Sequence, residues 1–293
     1  MILPQTFTYK IINACEIKAD VYKENDSKNQ PVIIFIHGGG LIGGGRKASP
    51  IIIDLLVKAG YVVVSIDYRL APESKLSDIV EDVQDAFAWV RNEGEALFNI
   101  DPTRIGVIGN SAGGYLTLAC GYLINPPPKA LVSLYGYGDI TGSWYTKPDP
   151  FYCAQPRVNE EQARKSVGTR AISEITQPGS RMPFYLYCRQ NGIWPKEVTG
   201  YDPEIEPEKF KLYCPIENIS KEFPPTLLLH GDVDTDVPCE ESIQMANMLK
   251  KIGVEHELKI LPGKGHCFEE SGEEDPIIAE ALNNIIVFLK QHV

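Results

Sequence analysis

The sequence lacks several features that would place the protein in a specialised class. Its seven cysteines are an odd number with no CxxC pair and no histidine spacing suited to zinc, which favours free thiols in a reducing compartment and no structural metal. No run of about 18 apolar residues occurs, and the first residues lack a basic segment that leads into an apolar stretch. The sequence therefore predicts neither a membrane span nor a signal peptide, and the expected location is the cytoplasm.

Positive charge is also scarce. The chain has 28 Lys and Arg against 39 Asp and Glu, a net charge of −11. Such an excess repels a nucleic-acid backbone, so we expect a small-molecule partner and no nucleic acid, and a homodimer is left open. We interpret one acidic run as a solvated loop without a role; it contains Glu269, Glu270, Glu273, Glu274 and Asp275.

The chain has 293 residues, of which 43% are hydrophobic, so it can bury a sizeable core. Short apolar runs rich in β-branched residues alternate with segments of helical period, a pattern typical of parallel βαβ units. The predicted strands are residues 32–36, 61–66, 104–108, 130–134, 226–229 and 258–261. The predicted helices are residues 77–90 with Ser77 as N-cap, the segment after Gly113, and residues 239–252 and 276–292. The sequence predicts one α/β domain over residues 1–293, with a mostly parallel central sheet flanked by helices.

Residues 139–223 break this alternation. The segment is rich in proline and aromatic residues, and a structureless loop of this length is not expected in a compact domain. It therefore predicts an inserted cap of short helices. A cap can shape substrate choice, or its aromatic residues can simply anchor the insertion to the body of the domain, and both interpretations are open here.

A GxSxG motif at residues 109–113 follows the predicted strand that ends at Ile108 and precedes a helix-compatible stretch. A tight turn from strand to helix needs small residues around a serine that is held strained and exposed. Ser111 is the candidate nucleophile. The N–H of Ala112, at the start of the helix, is a candidate donor to a developing oxyanion.

A second glycine motif, His37-Gly38-Gly39-Gly40, follows the first predicted strand. Such a loop can supply further N–H groups to the same oxyanion, because no Cβ blocks the approach. We predict Gly38 and Gly39 as these donors.

The same glycines also allow a dinucleotide-binding interpretation. Residues 38–43 satisfy GxGxxG after a strand, and Asp67 ends the next strand about where a ribose-binding acid belongs. However, the glycines continue through Gly45, where a helix should already pack on the sheet. This alternative also leaves the serine turn and a late histidine unexplained.

His266 is the best candidate for the base among five histidines. It lies in a loop after a predicted strand, and catalytic groups gather at the carboxyl ends of parallel strands. His230 is expected to be a packed residue. Three acids follow the penultimate strand, and one of them should accept a hydrogen bond from the imidazole: Asp232, Asp234 or Asp236. The chain order Ser, Asp, His is typical of a hydrolase that uses a nucleophile elbow.

Together these motifs resemble the hormone-sensitive-lipase-like branch of the α/β-hydrolase superfamily, also called the fold-3 esterases. The resemblance rests on the motifs His37-Gly38-Gly39-Gly40, Asp67-Tyr68-Arg69-Leu70-Ala71-Pro72-Glu73 and Gly109-Asn110-Ser111-Ala112-Gly113-Gly114. It implies an α/β-hydrolase fold and hydrolysis of acyl esters through a covalent acyl-enzyme, with no cofactor. It also implies that Asp67, Arg69 and Glu73 brace the glycine loop, which is the loop that begins with His37-Gly38-Gly39-Gly40.

The resemblance implies Asp234 as the acid, with Asp232 and Asp236 as alternates, from relatives that carry HGxxDxxVP. These acids lie in residues 230–238, the acid loop. This loop is more similar to that of dienelactone hydrolases and prolyl oligopeptidases than to the usual loop of the branch. Asn110 also departs from the pattern, because most members have Asp before the nucleophile.

The expected function is hydrolysis of small carboxylic esters by Ser111, His266 and Asp234, with a rate that falls as His266 becomes protonated. The aromatic cap favours short or aromatic groups over long lipid chains. Three alternatives use the same residues or the same fold: an amide-cleaving relative such as an aryl formamidase or exopeptidase, a carbohydrate-deacetylating or feruloyl esterase, and a non-enzymatic receptor.

Overall fold

A computed structural model describes residues 3–47, 49–175, 177–272 and 274–293. The strands are β1 (Gln5–Ile12), β2 (Cys15–Tyr22), β3 (Gln30–Ile36), β4 (Val62–Ile66), β5 (Ile100–Asn110), β6 (Ala130–Leu134), β7 (Thr226–Gly231) and β8 (His256–Leu261). The α-helices are α1 (Pro50–Lys58), α2 (Leu76–Phe98), α3 (Ala112–Leu123), α4 (Ser143–Thr146), α5 (Pro150–Cys153), α6 (Glu160–Lys165), α7 (Met182–Asn191), α8 (Trp194–Thr199), α9 (Glu240–Ile252) and α10 (Pro276–His292). Single 3₁₀ turns occupy Pro207–Lys209, Lys211–Tyr213, Pro215–Glu217 and Phe268–Ser271.

The described strands form one eight-stranded sheet in the order β1-β2-β4-β3-β5-β6-β7-β8. The six predicted strands form its parallel part, in the order β4-β3-β5-β6-β7-β8. Strands β1 and β2 are antiparallel additions at the edge beside β4. Strands β1 and β2 were not predicted from the sequence. The side chains of β1 are mostly exposed or half-buried, so this strand lacks the continuous apolar run that marks the buried parallel strands.

Two hydrophobic clusters cover the two faces of the sheet, and successive residues of each strand contribute to opposite clusters. In β3, Ile34 and Ile36 pack with α2, α3 and α9, whereas Ile33 and Phe35 pack with α1 and α10. Burial on both faces explains why the central strands are apolar throughout. No helix in the described ranges has the length and apolar character needed to cross a bilayer.

Helices α2 and α1 differ from the sequence prediction, the first in its limits and the second because it was not predicted. Helix α2 begins at Leu76, and its N-cap is Lys75 rather than Ser77; the Asp78 carboxylate accepts a hydrogen bond from the Lys75 N–H at 2.9 Å. Helix α1 was not predicted at all. It buries the apolar side chains of Ile52 and Ile53 among a short run of isoleucines that gave no clear period.

Residues 139–223 lie between β6 and β7 and contain α4 to α8 and three of the 3₁₀ turns. Most aromatic side chains of this segment are buried against the domain. The Trp194 ring stacks on Tyr145 with a centroid distance of 4.0 Å, and the Trp194 Nε1–H donates to the Gly40 carbonyl at 2.8 Å. These contacts favour the interpretation of the aromatics as anchors, with Tyr185 as the member that lines the cavity described below.

The carboxyl ends of the parallel strands bring the predicted site together. Strand β3 leads into the glycine loop, β5 ends at Asn110 just before Ser111, β7 leads into the acid loop, and β8 leads into the loop of His266. Strand β3 has β4 on one side and β5 on the other, so the chain direction of the connections reverses there. Ligand sites of open α/β sheets lie at such a point.

Candidate active site

Ser111 occupies a strained turn between β5 and α3. Its backbone has φ 55° and ψ −122°, a conformation that a residue with a Cβ rarely adopts. The turn packs so tightly that a Cβ at Gly113 would lie 2.0 Å from the Ile36 carbonyl oxygen. Glycine is therefore required two residues after the serine, and Ser111 lines a cavity at this turn.

Three side chains from distant parts of the chain form a continuous hydrogen-bonded series. The Ser111 Oγ lies 3.0 Å from His266 Nε2, and the other ring nitrogen, Nδ1, lies 2.7 Å from Asp234 Oδ2. Both distances are within the range expected of a nucleophile, its base and the group that orients the base. The structure thus brings together the three residues predicted as a triad.

The side chain of Asp234 is fully buried, and each of its oxygens has partners. Oδ1 accepts hydrogen bonds from the N–H groups of Asp236 and Val237, at 2.8 and 3.0 Å, and Oδ2 lies 3.3 Å from His230 Nε2. Burial alone would raise the pKa of Asp234, but hydrogen bonds from His230 and His266 hold it well below its ordinary value. Asp234 is therefore a fixed negative charge beside the imidazole.

The two alternate acids lie elsewhere. Asp232 Oδ1 accepts the Gly263 N–H at 2.6 Å, which ties the acid loop to the loop of His266. Asp236 Oδ2 lies 3.6 Å from His266 Nε2, on the side of the ring that faces the serine. His230 is a buried residue that bonds Ser242 and the Val237 carbonyl, as expected of a packed histidine.

The environment of His266 raises its basicity. Burial alone would lower the pKa of its imidazole, but the hydrogen bond to Asp234 and the charges of Asp236, Asp234 and Glu269 raise the pKa above the ordinary value of 6.5. A neutral imidazole is required to accept a proton from serine. The neutral form of His266 is therefore lost as the pH falls through this raised pKa.

The glycine loop lies directly against the serine turn. The Gly38 N–H donates to the Asn110 Oδ1 at 2.8 Å, so this N–H already has an acceptor, which differs from its predicted role. Within the described part of the chain, the N–H groups of Gly39, Gly40 and Ala112 have no protein acceptor. Gly39 has φ +110°, and a Cβ there would lie 2.3 Å from the Gly43 carbonyl oxygen, so only glycine allows this path.

Asp67 and Glu73 support this loop from below. The Asp67 carboxylate accepts the Arg46 N–H at 2.7 Å and pairs with the Arg46 guanidinium. Glu73 pairs with Arg181, whose Nε–H donates to the Ile42 carbonyl at 2.6 Å. Because both oxygens of the Asp67 carboxylate bond Arg46, they are not free to bind the hydroxyl groups of a ribose. This ion pair counts against the dinucleotide-binding alternative.

Arg69 has a different role from the one expected. Its guanidinium pairs with the buried Asp82 of α2 at 2.8 Å, so it ties the strand end to a helix rather than to the glycine loop.

A cavity of about 670 Å³ opens above the serine. The glycine loop, Ser111 and His266 form its floor, and Ile175, Met182 and Tyr185 of the segment between β6 and β7 line it from above. The lining is predominantly apolar, as is usual for small-molecule sites. The cavity is large enough for a small organic substrate with its carbonyl carbon at Ser111.

A buried arginine joins the upper wall of the cavity to the acid loop. Arg189 Nη1 lies 2.6 Å from Asp236 Oδ1, Nη2 lies 2.8 Å from Asp149 Oδ2, and the Tyr185 hydroxyl donates to the same Asp236 oxygen. The guanidinium carbon also lies within 6 Å of four aromatic ring centroids, those of Trp144, Tyr145, Tyr152 and Tyr185. Sequence reasoning missed this cluster, because its members are far apart in the chain and share no motif.

The acidic run at residues 269–275 contains one residue that is not solvated. Glu269 is 1% exposed, and its Oε1 accepts hydrogen bonds from Tyr135 and Asn110 beside the serine turn. The interpretation of the whole run as a solvated loop is therefore wrong for Glu269. Glu270 is exposed as expected, and Glu273 lies outside the described residues.

Comparison with known families is consistent with this architecture. The sequence model described as BD-FAE matches residues 19–249, most of the chain. The chain belongs to the BD-FAE family. The model of the dienelactone hydrolase family matches residues 210–293, the part that contains the acid and histidine loops. This second match agrees with the resemblance of the acid loop to that of dienelactone hydrolases.

Solved structures share the fold over nearly the whole chain. An α/β hydrolase superfamily protein from Enterococcus faecalis has a TM-score of 0.77 with 23% identity and covers 100% of both chains. An esterase from Pyrobaculum calidifontis has a TM-score of 0.71 with 25% identity over 98% of this chain and 84% of the esterase. The predicted α/β-hydrolase fold is confirmed, and this BD-FAE member is an α/β hydrolase.

Curated relatives include much longer proteins. The non-reducing polyketide synthase atr1 of Stereocaulon alpinum is 29% identical over 301 residues, which cover 90% of this chain and 12% of the synthase. The chain thus spans about an eighth of the length of such relatives.

Proposed function

We propose that this α/β hydrolase is a serine carboxylesterase that cleaves small carboxylic esters through an acyl-enzyme at Ser111. The observation that carries the proposal is the series from Ser111 Oγ to His266 to buried Asp234, with distances of 3.0 and 2.7 Å, at the floor of an apolar cavity. The esterase structure of similar fold supports the same chemistry.

In the acylation step, Ser111 Oγ attacks the carbonyl carbon of the ester while its proton passes to His266 Nε2. The negative charge of Asp234 stabilises the imidazolium that forms. When the tetrahedral intermediate collapses, the bond between the carbonyl carbon and the alcohol oxygen breaks, and the proton on His266 passes to the departing alcohol.

The developing oxyanion needs hydrogen-bond donors that have no other acceptor. The N–H groups of Gly39, Gly40 and Ala112 meet this condition, so we assign the oxyanion to them. Gly40 replaces Gly38 from the sequence prediction, because the Gly38 N–H is bonded to Asn110.

In the second step, a water molecule attacks the acyl carbon and gives its proton to His266 Nε2. The bond from the acyl carbon to Ser111 Oγ then breaks, Oγ recovers the proton from His266, and the carboxylic acid leaves. The chain's own residues suffice for both steps, with no cofactor.

We keep short or aromatic acyl groups as the proposed substrates, as the aromatic segment between β6 and β7 indicated in the sequence; Tyr185 is its aromatic side chain at the cavity. The test is a series of p-nitrophenyl esters from acetate to decanoate, with p-nitroacetanilide as the matched amide. We expect acetate and butyrate to have the highest kcat/KM, decanoate to be poor, and the anilide to be slower than the acetate. A higher kcat/KM for the anilide would favour an amide-cleaving enzyme, and no turnover of any ester would contradict the proposal.

A further inference from the structure

The side-chain amide of Asn110 connects the glycine loop to a buried carboxyl group. On one side, its Oδ1 accepts the Gly38 N–H at 2.8 Å. On the other side, its Nδ2 lies 3.0 Å from Ser49 Oγ, 3.2 Å from the Tyr135 hydroxyl and 3.4 Å from Glu269 Oε1. Asn110 immediately precedes Ser111, so any change in its side chain affects both the nucleophile turn and the glycine loop.

The donors of this region converge on one oxygen of Glu269. The Tyr135 hydroxyl and the Ser49 hydroxyl donate to Glu269 Oε1, as does Asn110. The other oxygen, Oε2, is buried and has no hydrogen-bond partner among the described residues. The ring of Tyr135 also packs against the His266 ring, with a centroid distance of 4.5 Å. Glu269 is thus the buried end of a network that reaches the glycine loop through Asn110 and the His266 ring through Tyr135.

These contacts fix the orientation of the Asn110 amide. The Gly38 N–H requires an acceptor and Glu269 Oε1 requires a donor, so only one of the two amide orientations satisfies both groups. An aspartate at residue 110 would place a carboxylate oxygen against Glu269 Oε1. Two carboxyl groups at that distance cannot both ionise without strong repulsion. The presence of Asn110 in this chain is therefore explained by its buried partner.

We propose that Glu269 is a positioning residue for the hydrolase reaction, acting through Asn110 to hold the Gly38 peptide and, with it, the oxyanion donors of the glycine loop. This inference rests on the proposed function. It assigns a role in catalysis to a residue that touches neither Ser111 nor the cavity. The role requires a pair of matched groups, an amide at position 110 and a carboxyl group at position 269.

The test is a set of reciprocal substitutions, Asn110→Asp, Glu269→Gln and the double variant, assayed with p-nitrophenyl acetate. Asn110→Asp is expected to lower kcat about 10- to 100-fold with little change in KM, less than the 10²- to 10³-fold effect of removing a whole oxyanion donor. The loss should grow as the pH rises, because the two carboxyl groups then lose their shared proton. The double variant should recover most of the rate, since the amide introduced at position 269 can donate to the carboxylate introduced at position 110.

Glu270→Gln is the matched control, because Glu270 is the exposed neighbour of Glu269 and has the same chemistry. It should leave kcat unchanged. Thermal unfolding of every variant separates misfolding from mispositioning, and the conservative Glu269→Gln change supplies the single-variant comparison if Asn110→Asp does not fold.

Two results would overturn the inference: a double variant no more active than folded Asn110→Asp, or an Asn110→Asp rate equal to that of the wild type at every pH. If Asn110→Asp fails to fold, a kcat of Glu269→Gln equal to that of Glu270→Gln would also overturn the inference. A wild type that hydrolyses no ester would instead contradict the proposed function itself, so the two failures are distinguishable.

Discussion

Replacement of Ser111 by alanine should lower kcat for p-nitrophenyl acetate by about 10⁶-fold, the loss typical of removing the nucleophile from a serine hydrolase triad. The expectation follows from the 3.0 Å contact between Ser111 Oγ and His266 Nε2, since no other hydroxyl in the described residues lies within hydrogen-bond distance of that nitrogen. The measurement is steady-state release of p-nitrophenol, with KM determined separately.

Ser27→Ala is the matched control for this substitution, because Ser27 is exposed and its side chain has no partner in the described structure. It should retain the wild-type rate. A residual rate in Ser111→Ala within tenfold of the wild type would show that the reaction does not pass through this serine.

Replacement of Asp234 by asparagine should lower kcat by about 10⁴-fold, because the amide cannot stabilise the imidazolium and favours the wrong tautomer of the ring. The pH profile should change as well. In the wild type, activity is present above the raised pKa of His266 and is lost as the pH falls through it. Without the charge of Asp234, the pKa of His266 falls, so the acid limb of the residual activity should move to lower pH.

Asp232→Asn tests the choice among the acids of the loop. Asp232 bonds the Gly263 N–H and does not contact His266, so this variant should keep the acid limb of the wild type. An acid limb that moves in Asp232→Asn and stays in place in Asp234→Asn would assign the orienting acid to Asp232 instead.

The parallel part of the fold could be predicted from the sequence, because strands buried on both faces read as unbroken apolar runs. Residues 32–36 and 130–134 are such runs, and their limits agree closely with β3 and β6. The edge strands β1 and β2 could not be found in this way. Their burial is one-sided or partial. Strand β1 pairs with β2, and β2 joins the sheet through β4, which is more than 40 residues away along the chain.

The site could be predicted where its chemistry imposes a local motif. The small residues around Ser111 recur as a fixed local motif, so the turn is visible in the sequence, although the contact that requires Gly113 is with the Ile36 carbonyl of β3. Gly38 shows the limit of this reasoning, because the acceptor of its N–H, the side chain of Asn110, is 72 residues away. Glu269 and Arg189 were missed for the same reason. Each lies among polar side chains that are distant in the chain and come together only in the folded structure.

The central claim is that His266 activates Ser111 for covalent attack, and labelling with a p-nitrophenyl alkylphosphonate tests it most directly. The reagent should transfer its phosphonyl group to wild-type protein with release of one p-nitrophenol per chain, and peptide mass spectrometry should locate the group on Ser111. His266→Gln should react far more slowly. Ester turnover in a wild type whose phosphonyl group is absent from Ser111, or lies on another residue, would contradict the account.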